Sequence, residues 1–313
     1  MPSDSPGNDR VAHRQIARLS GEVYLKFAQI LTEGLNVDLV AGVIFLTISR
    51  LNLIQMMADQ ERAVKYAGVE FPLPDEEREP ISVYAVSREI GLPYETVRRH
   101  ANKLVKLRHC DRVEGGGMII SPHFRECGLA ARMGDLTLST VVDFVRDIGA
   151  SGLSVPATAP RPPDVRLHVG RLSGRYFLSL QDRLSKGLNL ELLAGLVLMA
   201  IITANTQELR RNQRLAQEFG AMDDVPPDGM RQAVSVYAVS KTLHLPYETT
   251  RRYVAALVEA GYCVRMPGAG VIVPGRVQFE TGFMTMMMSN REAVDTFLVE
   301  LAAVGVTATV LSA

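Results

Sequence analysis

Residues 82–99 read SVYAVSREIGLPYETVRR, and residues 235–252 read SVYAVSKTLHLPYETTRR. The two stretches are identical at 13 of 18 positions, at an offset of 153 (235 − 82). The same offset holds on both sides of them. Arg18-Leu-Ser-Gly21 matches Arg171-Leu-Ser-Gly174, Gly34-Leu-Asn36 matches Gly187-Leu-Asn189, and Ala41-Gly42 matches Ala194-Gly195. Gly115 and Gly117 match Gly268 and Gly270, and Phe144 matches Phe297. One unbroken offset leaves no net insertion or deletion, so the halves are expected to share one fold. The chain of 313 residues then divides into a first repeat at 11–153, a linker at 154–164 and a second repeat at 165–313. The linker, Ser154-Val-Pro-Ala-Thr-Ala-Pro-Arg-Pro-Pro-Asp164, is stiffened by its prolines and is expected to be extended. Residues 1 to about 10 are polar and terminal, and are expected to be disordered.

Within one repeat the apolar spacing gives the elements. Ile16, Leu19, Val23, Phe27, Ile30 and Leu31 fall on one face of a helix over residues 12–33. Gly34 is expected to end it, and Asn36 to cap the next helix, whose first turn carries Asp38 or Glu191. That second helix is apolar nearly all round from Leu39 to Ile48, so it must be buried on most sides. Gly42 and Gly195 at its middle predict a close helix crossing, which joins the two halves or forms a homodimer seam. A proline-rich loop follows, from Gly68 to Pro80. Then Ser82 opens a short helix ending at Gly91 (His244 in the second copy), Leu92-Pro93 turns the chain, and a helix runs from Tyr94 to Lys106 over Val97, Ala101 and Leu104. Cys110–Val113 and Met118–Ile120, joined by Gly115-Gly-Gly117, read as a β hairpin; Tyr262–Arg265 and Val271–Val273 are its second copy.

Helix, tight turn, helix and glycine hairpin, carried by Ile90-Gly-Leu-Pro-Tyr-Glu-Thr-Val-Arg-Arg99, Leu104 and the glycine turn, resemble the winged helix-turn-helix domain of transcription regulators. The resemblance covers about 40 residues in each copy. It implies a mainly α fold with small β wings, two tandem winged domains each with extra N-terminal and C-terminal helices. It also implies that the helix from Tyr94 enters the major groove of duplex DNA. In both copies proline stands where such proteins often place a Ser or Thr cap, which removes a hydroxyl able to contact phosphate; Tyr94 and Tyr247 are the replacements.

The helix surface supports the same reading on chemical grounds. Opposite Val97 lie Glu95, Thr96, Arg99, Asn102 and Lys103, with Arg98 on the flank. Arginine reads guanine edges, asparagine reads adenine, and Thr and Lys hold phosphates. From Arg98 to Arg108 there are five basic residues and no acid. The second copy keeps Thr249, Arg251 and Arg252 but replaces Asn102 and Lys103 by Ala255 and Ala256, so the first copy is expected to bind more strongly. Arg112 and Arg265 on the wings are candidates for backbone contact. Two such helices about 34 Å apart would read adjacent grooves of an imperfect palindrome.

Composition bounds the alternatives. Lys+Arg and Asp+Glu are 34 each, so nucleic-acid affinity must come from a local patch. The main alternative to a DNA-binding regulator is a non-catalytic adaptor built from tandem winged helices. There is no phosphate loop, nucleophile elbow or paired metal-ligand motif, so neither an enzyme nor a cofactor is expected. Three cysteines make no disulfide framework, which with the absence of an apolar leader points to the cytoplasm. Leu39–Ile48 and Leu192–Thr203 are too short to cross a membrane. Cys110 and Cys263, one repeat apart, read as small buried residues rather than a redox pair. The cluster Met284, Met286, Met287 and Met288 reads as core filling, with an effector pocket or a partner surface as the alternative; no effector is identified. The helices carrying Val141, Phe144, Ile148 and Val294, Phe297, Leu301 are packing or oligomer surfaces.

Overall fold

The computed structural model describes residues 13–160, 162–268 and 270–306; the stretch 1–10 lies outside them. The fold is mainly helical with two small antiparallel sheets. The first repeat gives α1 (His13–Leu35), α2 (Leu39–Asn52), the short α3 (Ile54–Ala58) and α4 (Gln60–Lys65), α5 (Val83–Ile90) and α6 (Tyr94–Lys106). The hairpin β1 (Cys110–Arg112) and β2 (Met118–Ile120), the short α7 (Pro122–Glu126) and the long α8 (Leu129–Ala150) complete it. The second repeat gives α9 (Arg166–Leu188), α10 (Leu192–Asn205), α11 (Gln207–Arg211), α12 (Gln213–Glu218), α13 (Val236–Leu243), α14 (Tyr247–Glu259), β3 (Val264–Met266), β4 (Gly270–Ile272) and α15 (Thr281–Ala303). A 3-10 turn over Gly275–Phe279 stands where the first copy has α7. Nearly every helix recurs at the sequence offset; the second hairpin is displaced by one residue from its expected strands.

The local reasons are mostly those in the sequence. Ser82 and Ser235 cap α5 and α13 by accepting from Ala85 N and Ala238 N at 3.1 Å. The end of α1 is a correction. Gly34 lies inside the helix, where a Cβ would stand 2.8 Å from Met133 Cγ, so its smallness serves packing. The left-handed residue is Asn36 (φ 51°), with Asn189 (φ 51°) in the second copy. Asp38, not Asn36, caps α2, accepting from Ala41 N at 3.0 Å. Gly42 and Gly195 do mark a close crossing, since an added Cβ would stand 3.3 Å from Leu31 Cβ and 3.4 Å from Leu184 Cβ. The partner there is the preceding helix of the same repeat. Most of α2 and α10 is buried within the chain.

Compact units do not follow the repeats. One comprises residues up to Lys26, Phe144–Val155 and Ser179–Thr296; the other comprises Phe27–Asp143, Pro156–Leu178 and Phe297 onward. Each therefore joins the body of one repeat to helix ends of the other. In the first unit Arg14 N donates to Gly220 O at 3.1 Å, and Arg18 donates to Phe219 O and Ala216 O at 2.9 and 3.0 Å. In the second, Leu167 N donates to Ala67 O at 2.9 Å and Arg171 to Tyr66 O at 2.7 Å. The repeated Arg-Leu-Ser-Gly motif is thus a docking motif: the arginine satisfies carbonyls at the end of a short helix of the other repeat. The faces carrying Val141, Phe144, Ile148 and Val294, Phe297, Leu301 are buried.

Each unit has the same centre. Helix α2 packs on α6, α5 and β2, and α10 packs on α14, α13 and β4. Ile81 bridges Met118 and Val234 bridges Val271, adding a one-residue third strand to each hairpin. No single helix among the described residues is long and apolar enough to cross a membrane; α1–α2 and α9–α10 reach that length only across bends of 93° and 97°.

The turn between α5 and α6 gives a first test. Gly91 has φ 66°, and a Cβ there would meet nothing within 4 Å. Gly91→Ala is therefore expected to cost about 1 kcal/mol from backbone strain alone, with no clash. Chemical denaturation followed by circular dichroism measures it; an unchanged midpoint contradicts the assignment.

Candidate nucleic-acid interface

Helix α6 is fixed from one side. Val97, Ala101 and Leu104 are fully buried, so the rotation of the helix is set and its other face is presented to solvent. On that face Tyr94, Arg98, Arg99, Lys103 and Lys106 are exposed, while Thr96 and Asn102 are half-buried. Glu95, Thr96, Arg98, Arg99, Asn102, Lys103 and Lys106 border one open depression. Lys106, one of the five basic residues between Arg98 and Arg108, is not among the contacts expected from the sequence. The signal was there: Arg99, Lys103 and Lys106 follow i, i+4, i+7, one stripe of the helix.

The side chains are not equally available. Arg98 is paired with Glu95 one turn back, Nη2 to Oε2 at 2.8 Å, and its hydrogen bonds hold the exposed Glu95 carboxyl below its ordinary range. Such a surface pair is weak and exchangeable. Arg99 makes no ion pair among the described residues and is exposed. Lys103 pairs with Asp38, the cap of α2, at 2.8 Å, and His100 Nδ1 stands 3.3 Å from the same carboxylate. Burial alone would raise the Asp38 carboxyl, but hydrogen bonds from His100, Lys103 and the Ala41 amide outweigh it and hold it well below the usual range. Asn102 accepts from Arg112 at 2.8 Å, which ties the β1 end to α6. Asn102 and Lys103 are thus engaged in orienting the helix, and Arg112 is turned toward α6.

The second copy repeats the frame with less charge. Val254 and Leu257 are buried and Thr250 replaces Val97 in the core, its hydroxyl donating to Pro246 O at 3.2 Å. Tyr247, Arg251 and Arg252 are exposed and Thr249 is half-buried. Arg251 pairs with Glu248 at 2.8 Å, as Arg98 does with Glu95. Arg252 lies over the Tyr253 ring at 5.4 Å and makes no ion pair among the described residues. Tyr253 donates to Glu191 at 3.5 Å, in the place of His100 and Asp38. Ala255 and Ala256 are exposed, and Arg265 is exposed on β3.

The remaining polar candidates are structural. Cys110 and Cys263 are buried, and burial pushes both thiols up, that of Cys263 to about 12. His109 is buried against Phe45 and Phe124, its Nε2 2.9 Å from Leu35 O. Of the methionine cluster, Met287 is buried and Met288 exposed. Among the described residues no group of three or more His, Cys, Asp or Glu is placed to hold a metal. No family model, curated protein or solved structure matches the chain.

Proposed function

We propose that the chain is a DNA-binding regulator of the winged helix-turn-helix kind, presenting α6 to the major groove of duplex DNA, with the β1–β2 hairpin as its wing and α14 as a weaker second reader. The observation that carries this is the stripe Arg99, Lys103 and Lys106 on the exposed face of a helix whose opposite face is locked in the core. Arg99 is the base-reading candidate, because its guanidinium has no competing carboxylate and is able to take a bidentate guanine edge. Lys106 is the phosphate contact, Lys103 joins it only on leaving Asp38, and Tyr94 stands exposed at the first turn where a capping hydroxyl is missing. Regulation of transcription is the role such a reader serves.

The test is binding to duplex DNA as a function of salt. Neutralising about four phosphates gives a log–log slope of roughly −3.6. Lack of duplex binding at low salt, or binding indifferent to salt, removes the proposal. A specific feature of the second copy favours the adaptor reading for that copy: Ala255 and Ala256 are exposed, as are Val264 and Met266 on β3, each 38%. An apolar surface of that kind suits a protein partner better than a phosphate backbone.

A further inference from the structure

The unit built around the first repeat holds a half-open cavity of about 380 Å³, within the range of small-molecule sites, roughly 300–1,000 Å³. Its apolar wall includes Phe27, Leu31, Phe45, Phe124, Met133 and Phe177. Its polar wall includes six arginines, Arg50, Arg78, Arg125, Arg166, Arg171 and Arg175, with Ser49, Thr137 and Ser173, and among the described residues no Asp or Glu lines it.

The arginines are under-compensated from behind. Arg50 pairs with Glu89, Arg175 with Glu300, and Arg166 with Asp164 and Asp135. Asp75 alone serves both Arg78, at 2.9 Å, and Arg125, at 2.7 Å. Arg171 has no carboxylate among the described residues. It lies deep enough that burial, with Arg78 nearby, pushes its pKa down to about 9, although part of its surface stays open. Arg125 Nη1 and Ser173 Oγ are buried without a hydrogen-bond partner among the described residues, and Ser173 is only 2% exposed. Buried donors left unpaired are costly, and an anion entering the cavity relieves that cost.

Comparison of the repeats indicates that the opening is particular to this unit. Ala130 and Gly134 of the wall correspond to Phe283 and Met287, which are 4% and 3% exposed. Gly170 corresponds to Ala17, and a Cβ on Gly170 would meet nothing within 4 Å. Arg125 corresponds to Gln278, whose side-chain oxygen accepts from Arg14, itself in the place of Leu167. Where Phe283 and Met287 fill one unit, the other is left open and cationic.

We propose that this cavity is a binding site for a small amphipathic carboxylate, whose apolar chain lies among Phe27, Phe45 and Phe177 and whose carboxylate is held by Arg125 and Arg171. The site stands independently of the nucleic-acid reading. Decanoate, decan-1-ol and decylammonium, titrated calorimetrically into the full chain, test it. Decanoate binds at one site per chain, decan-1-ol at least tenfold more weakly, and decylammonium not at all. Gly170→Leu fills the void and abolishes decanoate binding without lowering the melting temperature, since leucine is the better helix former. Arg125→Gln, a second variant that leaves the void intact, brings decanoate down to the affinity of the alcohol. Absence of decanoate binding, equal binding by Gly170→Leu, or equal affinity for acid and alcohol each overturns the assignment.

Discussion

Replacing Arg98 and Arg99 together by alanine is expected to abolish duplex DNA binding and to leave the fold intact. Both side chains are exposed, so the stability change stays within about 0.5 kcal/mol. A bidentate base contact is worth about 1–3 kcal/mol and each tenfold in affinity about 1.4 kcal/mol, so losing Arg99 alone costs roughly 5- to 150-fold and the double variant more. The two single variants separate the roles. Arg99→Ala carries most of the loss, because Arg99 has no ion pair to give up. Arg98→Ala costs less, because Arg98 must first leave Glu95, at 2.8 Å. By the same reasoning Glu95→Gln frees Arg98 and removes a negative charge from the interface, so it tightens binding. Arg251→Ala with Arg252→Ala costs less than the first-repeat pair, since Ala255 and Ala256 leave α14 without flanking contacts. Fluorescence anisotropy on one duplex, with circular dichroism as the control for folding, decides among these. Unchanged affinity in the Arg98/Arg99 double variant sinks the regulator reading.

The repeat made much of this legible before any coordinates. The 153-residue offset fixed which elements occur twice, and the spacing of Val97, Ala101 and Leu104 set which face of α6 is buried. Periodicity, however, says that a face is buried and not against what. The first turns of α1 and α9 carry an apolar stripe that serves equally well in either repeat, so their exchange between compact units left no trace beyond the repeated Arg-Leu-Ser-Gly. Gly34 misled for a related reason. Glycine ends helices when the left-handed region is needed, but it also admits a neighbour, here Met133, and asparagine took the left-handed site two residues later. Lys103 and Asn102 read as free groove chemistry because Asp38 and Arg112, their partners, come from other elements. The cavity was legible in principle: Ala130, Gly134 and Gly170 are each smaller than their counterparts Phe283, Met287 and Ala17, and all three changes remove side chain from the same compact unit, although Gly170 belongs to the second repeat.

The largest stability loss is expected at a residue the apolar pattern hides. Asn52 ends α2 and is 1% exposed. Its amide nitrogen donates to Glu79 O at 2.6 Å and to Met118 O at 3.0 Å, and its oxygen accepts from Ile120 N at 3.0 Å. Beside it, Ile81 and Met118 exchange backbone hydrogen bonds as a strand pair, at 3.1 and 2.9 Å. Asn52 stands where that pairing would have continued, bridging Glu79 O to Ile120 N across the gap. Asn205 does the same in the second repeat, with Gln232 O, Val271 O and Val273 N at 2.6, 3.2 and 2.8 Å. Asn52→Leu keeps the volume and deletes all three bonds. Met118 O retains Ile81 N, but Ile120 N is stranded in the core and the partly buried Glu79 O loses its partner. At about 1–3 kcal/mol for each stranded group, the loss is about 2–6 kcal/mol, a large part of a typical domain's stability. Asn52→Asp is expected to be at least as damaging: it keeps the acceptor for Ile120 N but loses both donors and buries a charge against two carbonyls. Asn52 and Asn205 share no hydrogen-bond partner, so their costs add in the double variant. Urea denaturation read by far-ultraviolet circular dichroism measures each step, the chain having no tryptophan to report on unfolding. A loss under about 1 kcal/mol for Asn52→Leu contradicts the bridge, because an amide holding a helix to a strand edge cannot be removed that cheaply.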